Sequence, residues 1–212
     1  MEILCFDMDN TLVYGERMHI EAFKHSFKKN KLPIPTKKEL LKYFSLPAHV
    51  MIKQMYPGLT DKQVDKVVKG HDQQLLKETV KYTKVVPGAK AALKKLKKHY
   101  KIAVLSNCKH ITIKKVLKQN NIDAKMFDLI IGNDDVKKGK PAPDEIFKAE
   151  KLLHVKKGYM VGDSIYDIQA ANKAGLKGIA VLTGNHTKTM LKKEKPWKIL
   201  NSVKDLPDLL LK

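Results

Sequence analysis

Glu2-Ile3-Leu4-Cys5-Phe6-Asp7-Met8-Asp9-Asn10-Thr11 is the stretch on which the fold turns. Its apolar part, Glu2 to Phe6, is too short for a helix and stops at acidic residues, so a buried strand fits best. The pattern recurs at Lys101 to Leu105, Phe127 to Ile131, Tyr159 to Val161 and Gly178 to Leu182. None of these runs alternates apolar with polar residues, which is how strands covered on both faces of a parallel sheet read. Helical segments lie between them. Ala89 to His99 carries Ala92, Leu93 and Leu96 on one face, and Ile111 to Gln119 carries Ile113, Val116 and Leu117. Pro143 to Leu153 opens with Pro-Asp-Glu, a good helix start, and Ser164 to Ala174 ends at Gly175, a natural C-cap. Strand alternating with helix predicts an α/β fold with a doubly wound, Rossmann-like parallel sheet.

Between the first strand and Pro87 the pattern changes. Arg17 to Lys84 shows helical periodicity and no convincing strand. Phe23, Phe27, Leu40, Leu41, Met51, Ile52, Met55, Val64, Val67 and Val68 supply its apolar positions. Breaks fall at Leu32-Pro33-Ile34-Pro35, Leu46-Pro47 and Tyr56-Pro57-Gly58, which predicts an inserted bundle of about four helices. The expected organisation is an α/β core over 1–14 and 86–212 and an α-helical domain over 15–85. The tail, Ser202 to Leu211, reads as a last surface helix interrupted near Pro207.

The chain has 212 residues and is 43% hydrophobic, enough for a sizeable core in one domain or one domain with an insert. The formal net charge is +20, and Arg17 is the one arginine among the cations. Such charge raises the question of nucleic acid. The lysines, however, are dispersed as pairs such as Lys28-Lys29, Lys97-Lys98 and Lys192-Lys193, which reads as solvated helix faces whose field attracts anionic substrates. Cys5 and Cys108 do not make a disulfide framework and suit a reducing compartment. Acidic residues at Glu2, Asp7 and Asp9 argue against a signal peptide. No apolar run is long enough to span a bilayer, so a cytoplasmic protein, monomer or homodimer, is expected.

Reactive polar residues cluster in four short motifs at the ends of predicted strands: Phe6-Asp7-Met8-Asp9-Asn10-Thr11, Leu105-Ser106-Asn107, Gly139-Lys140-Pro141 and Val161-Gly162-Asp163-Ser164-Ile165-Tyr166-Asp167. In an open parallel sheet, ligands sit beyond the carboxyl ends of the strands. Asp7 and Asp9 are expected to point the same way, because alternate residues share a face. Adjacent carboxylates repel, so one holds a proton or both need a cation. Asp163 joins them from the fourth motif, with Asp167 one helical turn later. Such a cluster suits Mg²⁺, a hard ion that prefers oxygen ligands, and neither the histidine nor the cysteine spacing suggests zinc.

Together these motifs resemble those of the haloacid dehalogenase superfamily, in the correct order and over nearly the whole chain. The last, continued through Ile168-Gln169-Ala170-Ala171-Asn172-Lys173-Ala174-Gly175, is the most specific. The helical insert, with the return at Val86-Pro87-Gly88, resembles the cap of the phosphoglycolate phosphatase and β-phosphoglucomutase branch. The resemblance implies Asp7 as nucleophile, forming an aspartyl phosphate. It implies Asp9 as general acid and then base, its backbone carbonyl also a metal ligand. Thr11 would help hold the turn, Ser106 and the backbone of Asn107 would bind the phosphoryl group, and Lys140 would neutralise charge on Asp7 and that group. Asp7 and Asp163 would bind Mg²⁺, and Asp167 would do so directly or through water. Asn10 departs from the glycine usual in this branch. A second aspartate at position 9 favours phosphate chemistry over carbon–halogen cleavage.

The implied function is a Mg²⁺-dependent phosphatase of small phosphorylated metabolites. A phosphomutase is the near alternative, since a sugar hydroxyl can accept the aspartyl phosphate in place of water, and a non-catalytic polyanion-binding protein is the distant one. His49, in Leu46-Pro47-Ala48-His49, is a candidate substrate contact against the plainer reading of an exposed loop histidine. His19 near the hinge reads as structural, Cys108 as a small buried hydrophobe beside the pocket, and Trp197 as packed against the core edge.

Overall fold

A computed structural model of the chain describes residues 1–211. Its strands are β1 (Glu2–Phe6), β2 (Val13–Tyr14), β3 (Lys84–Val85), β4 (Tyr100–Ser106), β5 (Leu129–Gly132), β6 (Gly158–Gly162), β7 (Lys177–Val181) and β8 (Lys198–Leu200). Its helices are α1 (Glu16–Lys29), α2 (Lys37–Lys42), α3 (Ala48–Met55), α4 (Asp61–Lys77), α5 (Ala89–Leu96), α6 (His110–Gln119), α7 (Asp144–Leu153), α8 (Ile165–Ala174), α9 (Lys188–Lys193) and α10 (Leu206–Leu210). Six strands form one sheet in the order β5-β4-β1-β6-β7-β8, and every pairing in it is parallel.

The unbroken apolar runs have the expected cause. Leu4 and Phe6 of β1 belong to an apolar cluster on one face of the sheet, Ile3 and Cys5 to another on the opposite face, and all four are fully buried. Burying such a side chain contributes roughly 1.5–3 kcal/mol, so a polar residue at any of these positions would be costly. The chain winds from β1 outward through β4 and β5, then crosses back to β6 on the other side. This reversal leaves a crevice beyond the carboxyl end of β1, between β4 and β6.

Helices α1 to α4 surround an apolar cluster of their own that includes Phe23, Phe27, Leu40, Ile52, Val64 and Val67. Their starts are set locally: Thr36 and Thr60 form capping boxes with Glu39 and Gln63. The chain reaches this layer through β2 and returns through β3, which pair antiparallel, Val13 with Val85 and Tyr14 with Lys84.

Several local expectations need correction. Phe127 and Asp128 lie outside β5; Asp128 instead turns its carboxylate to accept from the backbone of Ile102 at 2.8 Å. Pro207 does not interrupt the final helix but sits in its first turn, where a missing N–H costs nothing. The sequence reading also passed over α9 and β8, which lie in a lysine-rich stretch without clear periodicity. No helix among the described residues is long and apolar enough to cross a membrane.

Candidate active site

Each of the four motifs comes to the crevice. Asp7 follows β1 directly, and its backbone N–H still donates to Val161 of β6 at 2.8 Å. Ser106 ends β4 and Asp163 follows β6. Lys140 arrives from the loop before α7, and its side chain is buried in full stretch, with the residue 2% exposed. Its ammonium donates to Asp7 Oδ1 at 2.7 Å, Asp167 Oδ1 at 2.7 Å and the Leu105 carbonyl at 2.9 Å. Three donors meet three acceptors, so the charge is buried without an orphaned N–H.

Asp167 is held from both sides. Its Oδ2 accepts from the backbone N–H of Ser164 at 3.0 Å and from the Ser164 hydroxyl at 2.6 Å, in a capping box that starts α8. Asp163 is the opposite case: it is 1% exposed, and neither carboxylate oxygen has a hydrogen-bond partner in the protein. Ligand atoms of Asp7, Asp163 and Asp167 lie within 4.8 Å of one another. Three carboxylates against the one ammonium of Lys140 leave two negative charges uncompensated. Burial, then Asp7 and Asp167, push the Asp163 carboxyl well above the usual range. Burial also raises Asp7, against the pull of Lys140. A divalent cation with oxygen ligands satisfies both the orphaned oxygens and the charge, so the residues fit such an ion.

Asp9 departs from expectation. The strand ends at Phe6, and the next residues form a tight turn in which Leu12 and Val13 both donate to the Met8 carbonyl. Strand alternation therefore no longer sets the direction of Asp9. Its Oδ2 lies 3.4 Å from His19 Nε2 and accepts from the Cys108 thiol at 3.3 Å, while Oδ1 has no partner. Its side chain thus belongs to a second cluster, with His19 and Cys108, although Asp7 and Asp9 line the same cavity. Asn10 explains the turn: its φ of 55° lies in the left-handed region, which asparagine tolerates better than most residues.

Thr11 is fully buried with its hydroxyl unpartnered, so the turn is held by backbone bonds and not by that side chain. Ser106 Oγ accepts from the Cys108 N–H at 3.2 Å. Asn107 donates to the Lys140 carbonyl at 3.0 Å and to the Ser45 carbonyl at 2.7 Å, tying the sheet to the loop after α2. His49 lies in the first turn of α3, not in a loop; it reaches the cavity rim, but its Nε2 pairs with Asp65 at 2.8 Å and the side chain is 53% exposed. The sequence reading missed His71 and Asp72. His71 sits on the buried stripe of α4, three and four residues after Val68 and Val67, and that misplaced polarity was the available signal. Asp7, Asp9, Ser106, Asn107, Lys140 and Asp167 line a cavity of about 90 Å³ roofed by residues of α1, α3 and α4 and the loop between α2 and α3.

This arrangement has relatives. The haloacid dehalogenase-like hydrolase family matches residues 4–181. A provisionally named pyrophosphatase PpaX from Caldanaerobacter subterraneus is 31% identical, covering 94% of this chain and 93% of its own. A phosphoglycolate phosphatase from Aquifex aeolicus is 30% identical, covering 87% and 86%. A hydrolase structure from Pseudomonas syringae, 23% identical, superposes with a TM-score of 0.89 over 99% of this chain and 98% of its own, which speaks for the fold. With the family match spanning most of the length and two full-length relatives beside it, the chain belongs to the haloacid dehalogenase-like hydrolases.

Proposed function

We propose that this enzyme is a Mg²⁺-dependent phosphatase of small phosphorylated metabolites that works through an aspartyl phosphate on Asp7. The observation that carries the reading is Asp163: two buried oxygens without a partner, beside Asp7 and Asp167 and across from a buried lysine. It is a phosphoric monoester hydrolase in which Asp7, Asp9, Ser106, Asn107, Lys140 and Asp167 line one cavity, with Asp163 buried beside Asp7 and Asp167.

Lys140 holds Asp7 Oδ1 and leaves Oδ2 without a donor, so Oδ2 is the attacking atom. It forms a bond to phosphorus as the bond to the leaving oxygen breaks. Asp9 gives a proton to that oxygen, later takes one from the water that cleaves the acyl phosphate, and so restores Asp7. The hydroxyl of Ser106 and the backbone of Asn107 bind the phosphoryl oxygens. Asp7, Asp163 and the backbone carbonyl of Asp9 would hold the cation, with Asp167, already committed to Lys140 and Ser164, supporting it directly or through water. When bound, Mg²⁺ supplies the positive charge that lets an anionic nucleophile approach an anionic phosphoryl group.

Residues 15–85 act as a cap on a core of 1–14 and 86–212. The helical layer roofs the cavity, so substrates enter by movement of the cap, with the paired β2 and β3 as hinge and the Asn107–Ser45 bond as a latch. The unpaired thiols of Cys5 and Cys108 support a cytoplasmic setting.

A phosphate-release screen with and without Mg²⁺ tests the reading. Because relatives carry the names pyrophosphatase and phosphoglycolate phosphatase, pyrophosphate and phosphoglycolate head the panel. Asp7→Asn abolishes turnover with the circular dichroism unchanged; full activity in that variant removes Asp7 as nucleophile. Phosphorus NMR on sugar phosphates shows free phosphate, whereas positional isomers would identify a mutase.

A further inference from the structure

The cavity holds a second convergence of ligand atoms. Asp9 Oδ2, His19 Nε2 and Cys108 Sγ come from the turn after β1, from α1 and from the residue before Lys109 at the start of α6. The separations are 3.3 Å for sulfur to oxygen, 3.4 Å for oxygen to nitrogen and 3.5 Å for sulfur to nitrogen. Zinc bonds of about 2.3 Å to sulfur and 2.0–2.1 Å to nitrogen or oxygen, at tetrahedral angles, place ligand atoms about 3.3–3.6 Å apart. The three atoms therefore already outline one face of a zinc tetrahedron.

The proton arrangement fits as well. Asp72 can only accept, so His71 Nδ1, 2.9 Å from Asp72 Oδ1, carries a proton. With one proton on each ring, His71 Nε2 accepts from His19 Nδ1 at 3.0 Å. That leaves the lone pair of His19 on Nε2, aimed at the Asp9 oxygen and the thiol. Asp72 is anchored in turn by Lys109 at 2.8 Å. A histidine whose far nitrogen is fixed by a buried hydrogen-bond chain is the usual outer support of a metal ligand. His19 Nε2 and Asp9 Oδ2 are two acceptors face to face, with a single thiol proton between them.

We infer that Asp9, His19 and Cys108 form a second metal site, selective for zinc-like cations, whose occupation inhibits the enzyme. The donor set is one oxygen, one nitrogen and one sulfur, which magnesium does not favour and zinc does. Binding forms the three metal–ligand bonds and releases the Cys108 proton to solvent. The fourth position opens to the cavity, where water or a phosphate oxygen completes the coordination. The inhibitory consequence rests on the acid/base role proposed for Asp9, while the binding itself does not.

Cobalt(II) is the probe. Added to chelator-treated protein, it gives a near-ultraviolet thiolate-to-metal charge-transfer band, which zinc abolishes by displacement. Cys108→Ser lacks the band and binds one fewer zinc by equilibrium dialysis. Asp163→Asn, which disables the oxygen-only cluster, keeps it. With Mg²⁺ saturating, zinc inhibits phosphate release, and Cys108→Ser raises the inhibitory zinc concentration at least ~10-fold, the minimum expected when a metal ligand is lost. No band in the wild type, a band that survives Cys108→Ser, or a band lost in a folded Asp163→Asn overturns the site. A protein that shows the band but no phosphatase activity upholds the metal site and refutes the phosphatase reading.

Discussion

Glu145 is the residue whose replacement tests the electrostatics of the site most cleanly. It lies in the first turn of α7, a few residues from Lys140, fully buried, and neither carboxylate oxygen has a partner. Burial is the largest influence on it. Lys140 favours the ionised form, Asp167, Asp135 and Asp144 oppose it, and the outcome is a pKa raised from 4.5 to about 7. A carboxyl that is harder to ionise in the folded chain than in the unfolded one costs nothing below pH 4.5, where both states hold the proton. The cost grows as pH rises towards 7 and is complete above it. From 4.5 to about 7, it amounts to about 3 kcal/mol.

Glutamine has the shape and polarity of the protonated acid and cannot ionise. Glu145→Gln therefore exceeds the wild type in stability by less than about 1 kcal/mol near pH 5 and by up to about 3 kcal/mol near pH 8.5. For a chain of this length that is roughly 6–12 °C in Tm. Urea or thermal unfolding at the two pH values, in chelator so that bound cations do not contribute, reads the difference. A variant no more stable than the wild type at pH 8.5 refutes the reasoning, because it would mean that the carboxylate is ionised and solvated or partnered in the folded protein.

Lys140→Ala leaves Asp7 and Asp167 buried without their shared cation and is expected to lower stability by about 3–5 kcal/mol near neutral pH, measured by denaturant titration. Gly184→Ala places a Cβ 1.6 Å from Asp163 Oδ2, so that carboxylate must move; the Mg²⁺ concentration for half-maximal activity rises at least ~10-fold with the fold unchanged. Ser164→Ala removes the cap of α8 and one of the donors to Asp167, costing about 1 kcal/mol in unfolding experiments. His49→Ala breaks only an exposed pair with Asp65 and changes stability by less than ~1 kcal/mol.

The sheet was legible because its strands are buried on both faces. Ile3, Leu4, Cys5 and Phe6 have nowhere polar to point, so the apolar run is visible without knowing the partners of β1. The helices of the insert were legible for a different reason: their apolar positions recur with helical period, and proline or glycine marks the breaks between them. The elements that were missed gain their structure from contacts distant in sequence. β3 is two residues long and exists through its pairing with β2, some seventy positions earlier. β8 follows Trp197, whose ring meets Tyr159 of β6 with centroids 5.4 Å apart, a contact no local pattern announces.

The acidic half of the site could be read along the chain because Asp7 and Asp163 sit where strands end, strand ends in a parallel sheet converge by topology, and Asp167 follows one helical turn into α8. Asp9 could not be read that way. Its direction is decided by the turn at Asn10 and by what waits on α1 and α6, so the period-of-two argument that paired it with Asp7 stopped holding two residues too early. The same limit hid His71. A histidine on the buried stripe of α4 looks like an imperfection until His19 is found 3.0 Å away, and only then does it become the support that fixes which nitrogen of His19 faces Asp9. The residues that hold the proposed nucleophile are thus local to the sheet, while those around the proposed proton donor are shared between sheet and helical layer. A movement of that layer alters the surroundings of Asp9 first and leaves the Asp7–Lys140–Asp167 contacts, all made within the sheet's own loops and helices, in place.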